Sequence, residues 1–168
     1  RIFLKEQEIG SMGELREKAA SASAEFGRID RDLKAAEQRL VEIAALKKHI
    51  VNYAKTRDVY VAYRKAGYSK AFFEEHREEI TLHKAAKDAF QKMNVSKLPK
   101  IKKLSEEYAT VLAEKKSLYT QYRLVREQMQ EYQKALHNTE VFFDMQKRET
   151  DAQEREQEKT NTTDRDHS

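Results

Sequence analysis

Two histidines and one glutamate have a spacing that suggests metal chemistry. His76 and His83 are two helical turns apart, and Glu79 lies one turn before His83. Side chains at this spacing share one face of a helix, where they could hold a divalent cation. Both histidines also fall on an apolar stripe, where an imidazole is more commonly packed and hydrogen-bonded. We therefore predict packed histidines and no metal site.

Motifs for other chemistry are missing from the sequence. It contains no phosphate-binding glycine loop, no H-E-x-x-H and no G-x-S-x-G. It has no cysteine, which excludes a thiol nucleophile and a disulfide scaffold. None of the eight tyrosines has a neighbouring base or metal pattern that would mark it as a nucleophile. We predict that this chain is not an enzyme and uses no cofactor.

Positive charge is concentrated in the middle third of the chain. Residues 47–103 contain 15 basic and 6 acidic residues, a net charge of +9, whereas the whole chain carries +4. Such an excess attracts polyanions, and aromatic rings among the cations could stack on unpaired bases. The candidate nucleic-acid-binding residues are Lys55, Arg57, Arg64, Lys65, Lys70, Lys97, Lys100, Lys102, Lys103, Tyr63 and Tyr68.

Two other interpretations of this charge stay open. An acidic protein partner would be attracted by the same residues. Lysines on helix faces are also ordinary solvated residues, and aromatic rings at a helical turn ordinarily form a small core.

Two long apolar ladders must position these residues. Their members recur at alternating spacings of three and four, which is the heptad seam of a coiled coil. The first ladder shifts by one position at Leu46, and Lys115 and Thr139 are the polar members of the second. The first ladder comprises Leu15, Ala19, Ala22, Phe26, Ile29, Leu33, Ala36, Leu40, Ile43, Leu46, Ile50, Tyr53 and Tyr60. The second comprises Ile101, Leu104, Tyr108, Val111, Lys115, Leu118, Tyr122, Val125, Met129, Tyr132, Leu136, Thr139 and Phe143.

Capping residues predict where the helices begin and end. Ser11 and Glu14 match a capping box, and Gly67 suits the left-handed residue after a helix. Ser69 suits the N-cap of a shorter helix, and Pro99 suits the first turn of a third. We therefore predict helices over residues 12–66, 70–93 and 99–146.

These elements predict an all-α fold, a long antiparallel coiled-coil hairpin over residues 11–147 with the shorter helix at its tip. The cations should gather at that tip, with the lysines around residue 100 facing Arg64. Residues 148–168 lack an apolar rhythm and are predicted to be a disordered tail. We expect residues 1–10 to be the end of an upstream element, since the chain begins at Arg1 without a methionine.

The composition agrees with long solvated helices. Charged residues make up 37% of the chain, and one proline and four glycines argue against a loop-rich all-β fold. No stretch approaches the length of a membrane span, and no signal peptide opens the chain. We predict a cytoplasmic protein without membrane contact.

Three long strings resemble the C-terminal helical region of relaxases, the mobilization nucleases of conjugative plasmids and transposons in Gram-positive gut bacteria and clostridia. The strings are IGSMGELREKAASASAEF at residues 9–26, AALKKHIVNYAKTRDVYVAYRKAGYSKAFFEEHREEITLHKAAKDAF at residues 44–90, and KLPKIKKLSEEYATVLAEKKSLYTQYRLVREQM at residues 97–129. The resemblance covers roughly residues 4–143.

The resemblance implies a non-catalytic accessory region. In relaxases an upstream domain carries the nicking tyrosine and the histidines that hold the metal. This chain has no His-x-His pair, so none of those residues can be assigned here. The implied partners are DNA near the transfer origin and relaxosome or coupling proteins. The alternative is a coiled-coil interaction module, including a homodimer, without DNA contact.

Overall fold

Four helices make up the regular structure of the part of the chain that the computed structural model describes, residues 2–166, with side chains described for residues 10–163. They are α1 (Ile2–Lys65), α2 (Lys70–Glu75), α3 (Arg77–Lys92) and α4 (Ile101–Asp166). The two long helices, α1 and α4, pack together, which confirms the predicted all-α helical hairpin. The chain divides into two compact units, which are described in turn.

The first unit contains Arg1–Asp30 and Thr120–Ser168. The rings of Phe26 and Tyr122 meet with centroids 4.9 Å apart, and Arg16 pairs with Glu140 at 3.8 Å. Rising numbers in α1 therefore meet falling numbers in α4, so the two helices are antiparallel here. Val125 of α4 is buried in this unit, together with Ala19, Ala22 and Ile29 of α1. These positions confirm the predicted seam.

The second unit, Arg31–Tyr119, contains the rest of α1, helices α2 and α3, and the beginning of α4. Its core joins three helices. The buried members are Ile43 and Leu46 of α1, Ala86 and Phe90 of α3, and Leu104 of α4. Helix α3 thus runs back along the C-terminal part of α1, and α4 begins where α3 ends.

Two helices of this unit end in the same left-handed turn. Gly67 has φ 68°, its N–H donates to the Arg64 carbonyl at 3.0 Å, and the N–H of Tyr68 donates to the Tyr63 carbonyl at 3.0 Å. After α3, Asn94 has φ 55°, its N–H donates to the Gln91 carbonyl at 3.1 Å, and the N–H of Val95 donates to the Phe90 carbonyl at 2.9 Å. These are Schellman motifs, and they confirm the predicted cap at Gly67. The Phe72 N–H donates to the Ser69 hydroxyl at 3.4 Å, which confirms the predicted N-cap.

The predicted single helix over residues 70–93 is wrong, because the chain breaks at His76. The N–H of His76 donates to the carbonyls of both Phe72 and Phe73, and its φ is −124°. Both phenylalanines belong to α2, ahead of the break, and their rings lie 6.1 Å from the ring of Tyr63. Aromatic packing of α2 on the end of α1 therefore accompanies the break in the helix.

The ends of the long helices also differ from the prediction. Ser11 lies inside α1, so it is not an N-cap and residues 2–10 continue the same helix; Arg1 lies outside the described residues. Helix α1 tolerates Gly10 and Gly13 within it, at about 1 kcal/mol each relative to alanine. Pro99 precedes α4, whose first bond runs from the Leu104 N–H to the Lys100 carbonyl.

The segment predicted as a disordered tail is helical as far as Asp166. It is rich in Glu, Gln, Lys and Arg, which are strong helix formers even without a packed face. The Arg148–Asp144 pair at 3.2 Å adds an i,i+4 contact. Side chains of residues 144–163 are exposed, in agreement with a solvated surface, and residues 167 and 168 lie outside the described residues.

Candidate nucleic-acid interface

The aromatic residues at the α1–α2 turn form a small core centred on Tyr63. This ring is 8% exposed and contacts the rings of Tyr68, Phe72 and Phe73 with centroids 5.3 to 6.1 Å apart. The interpretation of Tyr63 as a base-stacking residue is therefore wrong, because both its burial and its neighbours keep other rings away. Tyr68 is different, since 56% of it is exposed.

Cations lie against these rings. The Lys84 Nζ is 5.6 Å from the centroid of Tyr63 and 5.7 Å from that of Phe73, and the Lys87 Nζ is 5.0 Å from that of Tyr60. Such cation–π contacts orient each ammonium group over a ring face. Lys84 and Lys87 were not among the sequence candidates. Their positions along α3 could have indicated them, because each directly follows a residue on the buried face of that helix.

His83 is a packing residue, as predicted. It is 3% exposed, and its ring is stacked between Tyr53 and Tyr60 with centroids 4.6 and 4.4 Å away. Its Nδ1 lies 2.9 Å from the hydroxyl of Thr56. Burial, together with the charge of Lys87, lowers the pKa of His83 below 6.5, which favours the neutral ring.

The fold does not add metal ligands around His76 or His83 in the part of the chain that the structure describes. His76 packs its ring against Phe72, with centroids 4.5 Å apart, and His83 directs its Nδ1 to Thr56. In the described part of the chain, no three His, Cys, Asp or Glu side chains come together in a way that could hold a metal ion.

The cations that were predicted to gather at one tip are separated along α1. Arg64, Lys65 and Lys70 surround the α1–α2 turn, whereas the four lysines between α3 and the first turn of α4 lie beside Leu46. We call this second group the α3–α4 lysines: Lys97, Lys100, Lys102 and Lys103. Seventeen residues of α1 separate Leu46 from Tyr63, about 26 Å at 1.5 Å per residue. The expectation that these lysines face Arg64 is therefore wrong, because α3 runs back along α1.

All nine candidate cations are exposed. Within the described residues none of the nine forms an ion pair. The basic residues of the 47–103 segment that do pair with an acid are Arg77, at 2.7 Å from Glu74, and Lys92, at 3.1 Å from Asp88. Most of the positive charge of this segment is thus available to an external anion.

The α3–α4 lysines lie at the N-terminus of α4 and oppose its dipole. Lys102 and Lys103 lie in the first turn of α4, which has no acidic residue, and Lys100 provides the carbonyl of the first helical bond. The N-terminus of a helix carries partial positive charge, so each lysine there costs about 0.3–1 kcal/mol at low ionic strength. A bound anion would remove that cost.

The fold and this surface define a class: a helical hairpin with an exposed, largely unpaired basic region in one of its two units. No family model, no curated protein and no solved structure matches the chain. Among the described residues, no helix contains a stretch long and apolar enough to cross a membrane.

Proposed function

We propose that this chain is a non-catalytic helical accessory region of a relaxase-like protein, and that it binds DNA through the basic surface of residues 47–103. The observation that carries the proposal is the net charge of +9 in this segment, most of it on exposed side chains without an acidic partner. Lysines and arginines in that state bind phosphates with release of counterions.

The resemblance of residues 9–26, 44–90 and 97–129 to relaxase sequences supports DNA as the polyanion. Under this proposal the chain acts near the transfer origin, together with an upstream nuclease domain. Relaxosome and coupling proteins are its further proposed partners.

A salt series tests the proposal. Fluorescence anisotropy of the full 168-residue chain with labelled DNA should show binding at 50 mM salt that weakens steeply towards 200 mM. Reversal of all four α3–α4 lysines to glutamate should weaken binding at least about tenfold, since four phosphate contacts are lost.

The control changes the same amount of charge elsewhere. Lys18, Lys134, Lys147 and Arg155 are exposed residues of the other unit, and their reversal to glutamate also lowers the net charge by eight. Because long-range effects are screened beyond about 8–10 Å, we expect a loss of less than about threefold. Equal losses in both variants, or no DNA binding by the unaltered chain at 50 mM salt, would contradict the proposal.

A second candidate function is an interaction module without DNA contact. The observation that favours it is a group of exposed apolar residues on α4 away from the seam, comprising Leu124, Val141, Phe142 and Met145. Light scattering across a concentration series distinguishes the two functions. A dimer that dissociates when Phe142 and Met145 are changed to serine, in a chain that leaves DNA unbound, would favour the second.

A further inference from the structure

The buried face between α1 and α3 divides their surface into two flanks. The buried residues are Ile43, Leu46, Thr56 and Tyr63 on α1 and Ile80, His83, Ala86 and Phe90 on α3. Each following residue is rotated by about 100° around its helix. Because the two helices are antiparallel and face each other, that rotation leads to the same side of the pair on both helices. The preceding residues lie on the opposite side.

Charge is distributed unequally between the two flanks. The eight residues that follow a buried position include five cations and no acid, whereas the eight that precede one include one cation and two acids. We call the first side the cationic flank, and its charged residues are Lys47, Arg57, Arg64, Lys84 and Lys87. The cation of the opposite side is Lys55, and its acids are Glu42 and Glu79.

The ring contacts support this arrangement. Lys84 and Lys87 belong to α3, yet they lie 5.6 and 5.0 Å from the ring centroids of Tyr63 and Tyr60 on α1. Both lysines therefore reach across the groove between the helices on their shared side. Arg57 and Arg64 are exposed beside them and have no acidic partner within the described residues.

The cationic flank is long and turns around α1 as it advances, because seventeen residues of a regular helix leave Lys47 rotated by about 100° from Arg64. Lys47 and Arg64 are separated by seventeen residues of one uninterrupted helix, about 26 Å. Phosphates of one strand of a duplex advance about 3.4 Å per base pair, so this distance corresponds to about eight base pairs.

Its chemistry favours a nucleic-acid backbone over unpaired bases. Tyr63 is buried, and Lys84 and Lys87 lie over the rings of Tyr63 and Tyr60, so neither ring offers a free stacking surface here. Stacking on aromatic rings is how unpaired strands are usually held. What remains on the flank is phosphate neutralisation without base contact.

We propose that the cationic flank is the docking surface for a nucleic-acid duplex, which lies along α1 and is bound through its phosphates without sequence preference. This inference rests on the proposed function and specifies both its ligand class and its residues. The five cations of the flank should contribute about −4.5 to the slope of log K against log salt with duplex DNA, in addition to the contribution of the α3–α4 lysines.

The test compares ligands and variants of the full chain by fluorescence anisotropy. The probes are 6- and 12-base-pair duplexes and a 12-nucleotide single strand. We expect the 12-base-pair duplex to bind at least about tenfold more tightly than the 6-base-pair duplex, because only the longer duplex spans all five cations. We expect it also to bind more tightly than the single strand, whose lower charge density releases fewer counterions per contact. Changing all five to glutamine should reduce the slope by about 4.5, and Arg57→Gln with Arg64→Gln should reduce it by about 1.8.

Controls separate local from general effects. The variant with both arginines changed keeps Lys84 and Lys87 on their rings. It therefore still tests the inference if circular dichroism shows that the variant with all five substitutions is unfolded. A matched control also carries five substitutions to glutamine, at Lys18, Arg126, Lys134, Lys147 and Arg155 of the other unit. Its salt slope should stay within about one unit of the slope of the unaltered chain.

The outcomes distinguish this inference from the proposed function. If the double arginine variant bound DNA with an unchanged salt slope, the cationic flank would not be the docking surface, although DNA binding itself would stand. Tighter binding of the single strand would contradict a duplex as the ligand. If the unaltered chain bound no probe at 50 mM salt, but bound a polyglutamate peptide, the proposed function would fail and an acidic protein partner would replace it.

Discussion

The hydroxyl of Thr56 on α1 lies 2.9 Å from Nδ1 of His83 on α3, and it donates its own proton to the carbonyl of Asn52 at 2.6 Å. The hydroxyl can therefore accept a hydrogen bond from His83 in the tautomer that carries its proton on Nδ1. Thr56 is 1% exposed and His83 is 3% exposed. This buried polar contact holds α3 in register on α1, and with it the two lysines of the cationic flank that follow His83.

Thr56→Val should destabilise the protein although the side chain keeps its shape. The substitution removes the hydroxyl that contacts the buried imidazole of His83, and the loss of a buried hydrogen-bond partner costs about 1–3 kcal/mol. Urea unfolding followed by circular dichroism measures the change. Thr110→Val is the matched control, because Thr110 donates to the carbonyl of Glu106 in the same way but is exposed. Equal effects of the two variants would contradict the role of the Thr56–His83 contact.

The stability of the second unit should fall as the pH is lowered below 6.5. Burial and Lys87 lower the pKa of His83 in the folded state, so the unfolded chain binds the proton more readily. The contribution is fully present above pH 6.5, is lost progressively below it, and levels off below the folded-state pKa. The slope for one proton is at most about 1.4 kcal/mol per pH unit. Unfolding free energies at several pH values should show a smaller slope for His83→Gln and an unchanged one for His137→Gln.

Arg39 and Glu107 form a bidentate ion pair between α1 and α4. Nε and Nη2 of Arg39 donate to the two carboxylate oxygens at 2.7 and 3.0 Å, which lowers the pKa of Glu107. Both side chains are about two-fifths exposed, so we expect a coupling of only about 0.2–1 kcal/mol. A double-mutant cycle with Arg39→Gln and Glu107→Gln measures it. The coupling should fall as the pH drops through the folded-state pKa of Glu107, and a constant value down to pH 2 would be inconsistent with this pair.

Replacing Gly67 and Gly13 by alanine should change the stability of the protein in opposite directions. Gly67 has φ 68°, where an alanine is strained by about 1–2 kcal/mol, although no other atom lies within 4 Å of the added Cβ. Gly13 lies inside α1 with equally open surroundings, so Gly13→Ala should stabilise the helix by about 0.5–1 kcal/mol. Thermal unfolding of the two variants checks the signs. A stabilised Gly67→Ala would contradict the left-handed cap.

The apolar ladders were predictable because a heptad pattern leaves only one face to bury. Residues from Ala19 to Leu46 on α1, and Leu104 and Val125 on α4, lie at the predicted inward positions. The shift of phase was predicted near Leu46, but Thr56 was missed, since a polar residue gives no apolar signal. Its partner on α3 explains its burial.

The break at His76 and the direction of α3 could not be predicted from local pattern. Both depend on rings that are distant in sequence, such as Tyr63 against Phe72 and Tyr53 against Phe90. Propensity within residues 70–93 favours one continuous helix, and contacts with α1 override it. The same contacts separate the α3–α4 lysines from Arg64.

The helical class, the seam residues and the excess of positive charge in residues 47–103 follow from the order of amino acids alone, because periodicity and composition are local properties of the chain. Which cations share a surface depends on how the helices pack. That depends on the antiparallel docking of α3 on α1, which places the residue after each buried position on a common side and carries Lys55 to the other.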